Sequence, residues 1–262
     1  MSTLRVALVQ LRSTSDPASN LQQVRHLCAE AAEQGADVVV FPEATICSYG
    51  RPRIEVAEPL EGPWASGVRD VAREFGLTVV VGTFTPTGSG KVRNTLLVTG
   101  GVEASYDKLH LFDALGYAES AEIEAGVAPV TFQLGEVTIG LATCYDLRFP
   151  WLFQHYARLG AQLIVVPASW APGPNKLHQW RTLVTARAMD STSFVVGCDQ
   201  AEPAADQGKR TPTGVGHSLA VDPFGTVLFE LGPGAELRVI ELDLTQVAGA
   251  QAALPVLAVG PA

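Results

Sequence analysis

Apolar residues run through this chain in short unbroken blocks, separated by breaks rich in polar residues, Gly and Pro. LRVALVQL (4–11), DVVVF (37–41), TVVVGTF (78–84) and TIGLAT (138–143) are rich in β-branched residues. They show no alternation, the pattern of strands buried on both faces. Between them the period lengthens. Asp16 is placed as an N-cap with Pro17 at the first helical position, and Leu21, Val24, Leu27, Cys28 and Ala31 then mark one helix face as far as Gly35. Further helices are predicted near Trp64–Phe75, from Pro150 onward, around Gln179–Asp190 and over Leu244–Ala253. Further strands are predicted at Asn94–Thr99, in a segment ending near Lys108, and at Leu237–Leu242. Alternating strands and helices with continuous apolar strands predict an α/β sandwich whose helices cover its sheets.

The pattern occurs twice. GAQLIVVPA from Gly160 matches GADVVVFPE from Gly35 at an offset of 125, and FVVG from Phe194 follows its helix as VVVG from Val79 follows the Trp64 helix. HSLAV from His217 echoes NTLLV from Asn94, and TIGLAT stands for the first strand. Four matches in one order predict two similar halves, their sheets packed face to face about a pseudo-twofold axis, in a single domain spanning residues 1–262. Shared positions such as Gly35/Gly160 and Pro42/Pro167 read as scaffold. Positions that differ read as chemistry: Glu43 stands opposite Ala168, and Cys144 follows a strand whose counterpart ends in Leu11.

Composition narrows the class. With 262 residues, 47% hydrophobic and 17% charged, the chain can bury a large core. Its net charge of −9, with no basic cluster, argues against nucleic acid and against an anionic membrane surface. No apolar run of membrane-spanning length and no leader-like N-terminus is expected. The four cysteines (Cys28, Cys47, Cys144, Cys198) are scattered, with no C-x-x-C pair, which fits a reducing cytoplasm better than a disulfide or zinc scaffold.

In open α/β sheets ligands sit beyond the carboxyl ends of strands. Three such ends carry reactive groups: Glu43 after VVVFP, Lys108 after VEASYD and Cys144 after TIGLAT. Each has a plainer reading, as a loop carboxylate, a solvated strand end or a buried structural thiol. A free thiol, with a pKa of about 8.5, is only a few per cent thiolate at neutral pH, so a nucleophilic Cys144 needs a base. Glu43 is the candidate if burial raises its pKa. Lys108 and the backbone N–H of Tyr145 are candidate oxyanion donors. Of the five histidines His110 comes nearest to a rival base, being two residues from Lys108, but it reads better as support; with Asp113 it offers too few groups to ligate a metal.

In FPEAT (41–45), YDKLHLFD (106–113) and CYDLRFP (144–150) the chain resembles the nitrilase, or carbon-nitrogen hydrolase, superfamily, over nearly its whole length. The resemblance implies an αββα four-layer sandwich of two mixed sheets, usually paired as a homodimer, with a Glu43–Lys108–Cys144 triad that hydrolyses a non-peptide C–N bond without metal or cofactor. It implies a further glutamate, matched by Glu119 in YAES, with Glu122 and Glu124 as neighbouring rivals. Tyr145-Asp146 after the cysteine resembles the amidase side, and CYDLRFP resembles omega-amidases and enzymes that hydrolyse deaminated glutathione. Arg148 is then implied as a fork for a substrate carboxylate, against a salt bridge with Asp146 or another acid. Trp170 and the loop SWAPGPNK (169–176) follow the strand matching that of Glu43 and are expected to wall the pocket, against packing. The tail departs from the family, LAVGPA following Pro255-Val256 where relatives often carry an Arg-rich segment. The function expected is therefore a cofactor-independent thiol amidohydrolase acting on a small carboxylate-bearing amide. The alternatives are an N-carbamoyl amine or aliphatic amide hydrolase and, in another class, a non-catalytic scaffold subunit, which would be expected to have lost a triad residue.

Overall fold

The computed structural model describes residues 2–203 and 214–258; the last residues of the divergent tail lie outside this range. In chain order the elements are β1 (Thr3–Gln10), α1 (Pro17–Glu33), β2 (Val38–Val40), α2 (Pro63–Phe75), β3 (Thr78–Pro86), β4 (Val92–Thr99) and β5 (Ala104–Asp107). A two-residue hairpin, β6 (Asp113–Ala114) with β7 (Tyr117–Ala118), follows. The second half holds β8 (Thr131–Leu134), β9 (Val137–Leu141), α3 (Pro150–Arg158), β10 (Leu163–Ala168), α4 (Lys176–Ser191), β11 (Phe194–Asp199), β12 (Leu219–Val221) and β13 (Val227–Glu230). β14 (Glu236–Asp243) and α5 (Thr245–Ala253) complete it.

Two six-stranded sheets result, in the orders β14-β1-β2-β3-β4-β5 and β13-β12-β11-β10-β9-β8. In each half three successive parallel strands are followed by an antiparallel fourth. The two halves expected from the sequence thus share one topology, with β9 to β12 standing for β1 to β4.

Because the parallel strands are apolar on both sides, each sheet buries both faces. Val6, Leu8, Val38, Val40, Val80 and Leu96 of one sheet meet Ile139, Leu141, Leu163, Val165, Val196 and Ala220 of the other in a shared core. The opposite face of the first sheet packs on Val24, Cys28, Val68 and Ala72 of α1 and α2. That of the second packs on Phe153, Tyr156, Trp180 and Val184 of α3 and α4. This is the αββα order of layers. The thiol of Cys198 crosses the central layer, donating to the carbonyls of Val40 (3.1 Å) and Val9 (3.4 Å).

Local signals act as written. The Asp16 side chain accepts from the Ala18 and Ser19 amides at 3.2 and 3.1 Å, capping α1 with Pro17 in its first turn. Two of the boundaries that differ from the sequence reading bear on the site. β9 ends at Leu141, because the Asp146 carboxylate takes the Thr143 amide at 2.8 Å and draws 143–148 into a 3-10 turn. α4 begins at Lys176, since Asn175 takes a left-handed conformation just ahead of it. Among the described residues no helix is long and apolar enough to cross a membrane.

Candidate active site

Four chain segments converge beyond the strand ends. After β2, Phe41 still donates to Val80 O (2.8 Å) and Ile46 to Gly82 O (3.1 Å), so the segment carrying Glu43 stays pressed on β3. Gly82 permits this: a Cβ there would stand 2.6 Å from the Ala44 amide and 2.7 Å from the Pro42 carbonyl. Lys108 extends β5, its amide donating to Asn94 O on β4 at 2.9 Å. Glu119 opens a 3-10 turn after the β6–β7 hairpin. Cys144 opens the turn after β9 with φ +48°, a left-handed conformation that costs a non-glycine residue roughly 1–2 kcal/mol. Among the described residues the N–H of Tyr145, next in that turn, has no protein acceptor.

Lys108 is the hub. Its Nζ lies 3.0 Å from Glu43 Oε1 and 3.0 and 2.9 Å from the two oxygens of Glu119, with all three side chains buried. Asn94 Nδ2 donates to Glu43 Oε1 at 2.6 Å and to Glu119 Oε1 at 3.3 Å. Backbone amides complete the set: Ser169 N–H donates to Glu43 Oε2 (2.8 Å) and Phe112 N–H to Glu119 Oε2 (2.6 Å). Burial opposes the charge on Lys108, but Glu119 and Glu43 overcome it and hold the ammonium well above the ordinary lysine range. Cys144 is half-buried and lines the pocket. Desolvation by the surrounding protein, and then the Glu43 charge, push its thiol well above the ordinary cysteine value against the pull of Lys108. The surroundings thus disfavour the thiolate, and a neighbouring base that takes its proton offsets this.

The structure brings Glu43, Lys108, Glu119 and Cys144 onto one pocket of about 300 Å³. Of the three acidic residues in that loop, Glu119 alone lines it. Glu122 pairs with Arg53 at 2.6 Å, and Glu124 takes the hydroxyls of Ser89 and Thr87 near the surface. Trp170 is both wall and packing: it lines the pocket, lies against Trp180 and is held by Asp199 Oδ1 on its amide (2.7 Å). Burial pushes Asp199 well above the usual carboxylate range. Arg148 lines the pocket without a carboxylate partner among the described residues. Its guanidinium donates to Gln179 Oε1 at 2.6 Å and lies over the Trp170 and Tyr145 rings. Asp146 instead accepts from the Tyr106 hydroxyl (2.6 Å) and pairs with His110 Nδ1 (2.6 Å), whose ring stacks on Phe149. His110 thus braces the turn that carries Cys144.

Asn94 and Phe112 are not singled out by the sequence, and Lys176 enters it only as the end of the SWAPGPNK loop. Asn94 carried a usable signal, because it differs from His217 at the matching position of the repeat. Phe112 lies within YDKLHLFD but had no pattern of its own.

A chain that buries a lysine between two carboxylates beside a pocket thiol, at the strand ends of a layered α/β sandwich, has the construction of an enzyme. The chain belongs to the carbon-nitrogen hydrolase family, whose model matches residues 5–252. It is 48% identical to Hydrolase Rv0480c of Mycobacterium tuberculosis, over 97% of this chain and 94% of that one. It is 34% identical to the omega-amidase NIT2 of Mus musculus, over 98% and 95%. A solved neighbour is a mutant of the amidase from Nesterenkonia sp. AN1, with the acetamide moiety of fluoroacetamide covalently added at its active-site cysteine. The two agree with a TM-score of 0.80 at 28% identity, over 94% of this chain and 92% of that one.

Proposed function

We propose that this hydrolase cleaves the C–N bond of a small linear amide bearing a carboxylate, through a thioester on Cys144, and releases ammonia and an acid. The observation that carries this reading is the Lys108 ammonium, buried between Glu43 and Glu119 on the same pocket as the Cys144 thiol. Glu43 takes the Cys144 proton as the sulfur attacks the amide carbon. The carbonyl electron pair moves onto oxygen, where the Tyr145 N–H and the Lys108 ammonium receive it. Glu43 returns the proton to the leaving nitrogen, the C–N bond breaks, and ammonia departs from a thioester. A water molecule enters, gives its proton to Glu43 and adds to the thioester carbon. Collapse of this second adduct expels the sulfur, which regains the proton from Glu43 as the acid leaves. Glu119 holds Lys108 in place and orients the substrate or water.

The carboxylate preference rests on Arg148, a pocket cation with no acidic partner among the described residues, and on the likeness to an omega-amidase. A second reading is hydrolysis of simple aliphatic amides, favoured by the adduct of the Nesterenkonia amidase. Ammonia release from 2-oxoglutaramate, N-carbamoyl acids and plain aliphatic amides, together with cysteinylglycine release from deaminated glutathione, separates the readings. Full turnover by Cys144→Ala on its best substrate would overturn both. We take the working form to be a homodimer, which the family resemblance supports, and the compartment to be a reducing cytoplasm, which four free cysteines support.

A further inference from the structure

Arg148 is not the only cation facing the pocket without an acid to meet it. Lys176, the first residue of α4, is 8% exposed and lines the same cavity. A lysine so buried usually has a carboxylate partner, yet among the described residues its Nζ makes neither a hydrogen bond nor an ion pair. Its neighbours are aromatic faces instead, Phe112 at 5.1 Å and Trp170 at 5.3 Å from the ring centroids. The guanidinium of Arg148 lies 5.4 Å from the same Trp170 ring. One indole thus carries two cations.

The wall is fixed to the lysine: the Trp170 Nε1–H donates to the Lys176 carbonyl at 2.9 Å, and the Lys176 amide is turned back onto Gly173 O at 3.1 Å. Burial, and then the neighbouring Arg148 charge, lower the Lys176 pKa. Two like charges converge on one surface with free donors and, among the described residues, no acid between them. Among the described residues the pocket is lined by two acidic side chains, Glu43 and Glu119, and three basic ones, Lys108, Arg148 and Lys176, one basic group in excess. A single anionic group on the ligand closes that balance.

We propose that Lys176 is the second cation of an anion clamp: with Arg148 it grips the carboxylate of a monoanionic linear amide and selects such substrates over neutral amides of the same length. The clamp rests on the amide-hydrolase reading, yet binding tests it apart from turnover. Glutaramate and pentanamide share an amide and a four-carbon chain, and differ in whether a carboxylate or a methyl group ends it.

On the Cys144→Ala background, calorimetry should show glutaramate bound more tightly than pentanamide. Lys176→Met should reduce that preference by about tenfold or more, the loss of one charge-assisted hydrogen bond, and Lys176→Arg should restore most of it. In the active enzyme the same loss should appear in KM for glutaramate rather than in kcat. An unchanged glutaramate-to-pentanamide preference in Lys176→Met, with Lys176→Arg equally unaffected, overturns the clamp. So does an equal weakening of both ligands, which would mark a structural role. If the wild-type protein binds glutaramate through Lys176 but releases no ammonia from any amide, the clamp stands and the proposed hydrolysis fails.

Discussion

Glu43 Oε2 accepts a 2.8 Å hydrogen bond from the backbone N–H of Ser169, 126 residues away at the end of a strand in the opposite sheet. The two residues follow strands that correspond in the internal repeat. One half therefore supplies the proposed base and the other half orients it. The orientation depends on the face-to-face packing of the sheets, since nothing local to either segment brings them together. The other oxygen of Glu43 is taken by Lys108 and Asn94, which leaves the carboxylate little freedom to turn.

Glu43→Gln keeps the volume and removes the base. Ammonia release should fall by roughly 10² to 10⁴, the range for a general acid–base group, while circular dichroism and the denaturation midpoint stay near wild type. Retained turnover would move the base elsewhere.

Lys108→Met tests the hub more severely. Two buried carboxylates then face each other without a counter-charge, and breaking such a buried cluster costs about 3–5 kcal/mol. Urea unfolding should show a loss of that order. Lys108→Met with Glu119→Gln, which removes one of the stranded charges, should recover part of the stability and none of the activity. If the double variant were less stable than the single one, the charge argument would be wrong.

Much of this site could be read from the chain because its reactive groups end strands. Glu43 and Cys144 each follow an apolar block, and Lys108 a strand segment, near the point where a sheet opens to ligands, and the repeat showed that two of the three break its symmetry. The layers followed for the same reason: continuous apolar strands need cover on both faces. What stayed hidden depends on contacts without a periodic signature. β8 and β13 are four-residue strands and β6–β7 a two-residue hairpin, too short for any period to show. The loop ending in Lys176 reads as pocket wall, but nothing in the sequence marks the lysine as a cation set over Trp170, a contact made just after the left-handed Asn175. Asn94 binds both glutamates because the fold brings the end of β2 and the turn after β7 onto β4, a convergence no local pattern encodes.

Thiol chemistry offers a third check. Cys28, Cys47 and Cys198 are at most 1% exposed, whereas Cys144 opens into the pocket. A small neutral alkylating amide at neutral pH should label one cysteine per chain in the native protein, identified as Cys144 by peptide mass. The other three should react only after unfolding. Labelling of Cys47 at the rate of Cys144 would mean that the pocket confers no selectivity.

Alkaline stability follows from the buried thiols. Desolvation pushes Cys28 up to about 12, while in the unfolded chain its thiol ionises near its ordinary value of about 8.5. Above that value the unfolded state loses its proton and the folded state keeps it, so stability declines with pH until the folded value is passed. The slope approaches about 1.4 kcal/mol per pH unit for each such group. Cys28→Ala should be somewhat less stable at pH 7, through the cavity it leaves, yet lose less stability between about pH 8.5 and 10. Parallel profiles for the two proteins would contradict the assignment.

Gly82→Ala tests whether a backbone approach sets the site. The added Cβ would meet the Ala44 amide, the Pro42 carbonyl and Glu43 Cα at 2.6–2.9 Å, all of them backbone atoms that no side-chain rotation can move aside. The segment must shift away from β3, carrying Glu43 off Lys108, Asn94 and the Ser169 amide together. A displacement of about 1 Å in a reacting group can cost about 10²-fold in rate. Ammonia release should therefore fall by at least tenfold at saturating substrate, a larger effect than the accompanying loss of stability explains. Gly88→Ala, in the open turn between β3 and β4, meets nothing within 4 Å and should leave the rate unchanged. If both variants kept full rate, the closeness of Glu43 to β3 would have no bearing on the reaction.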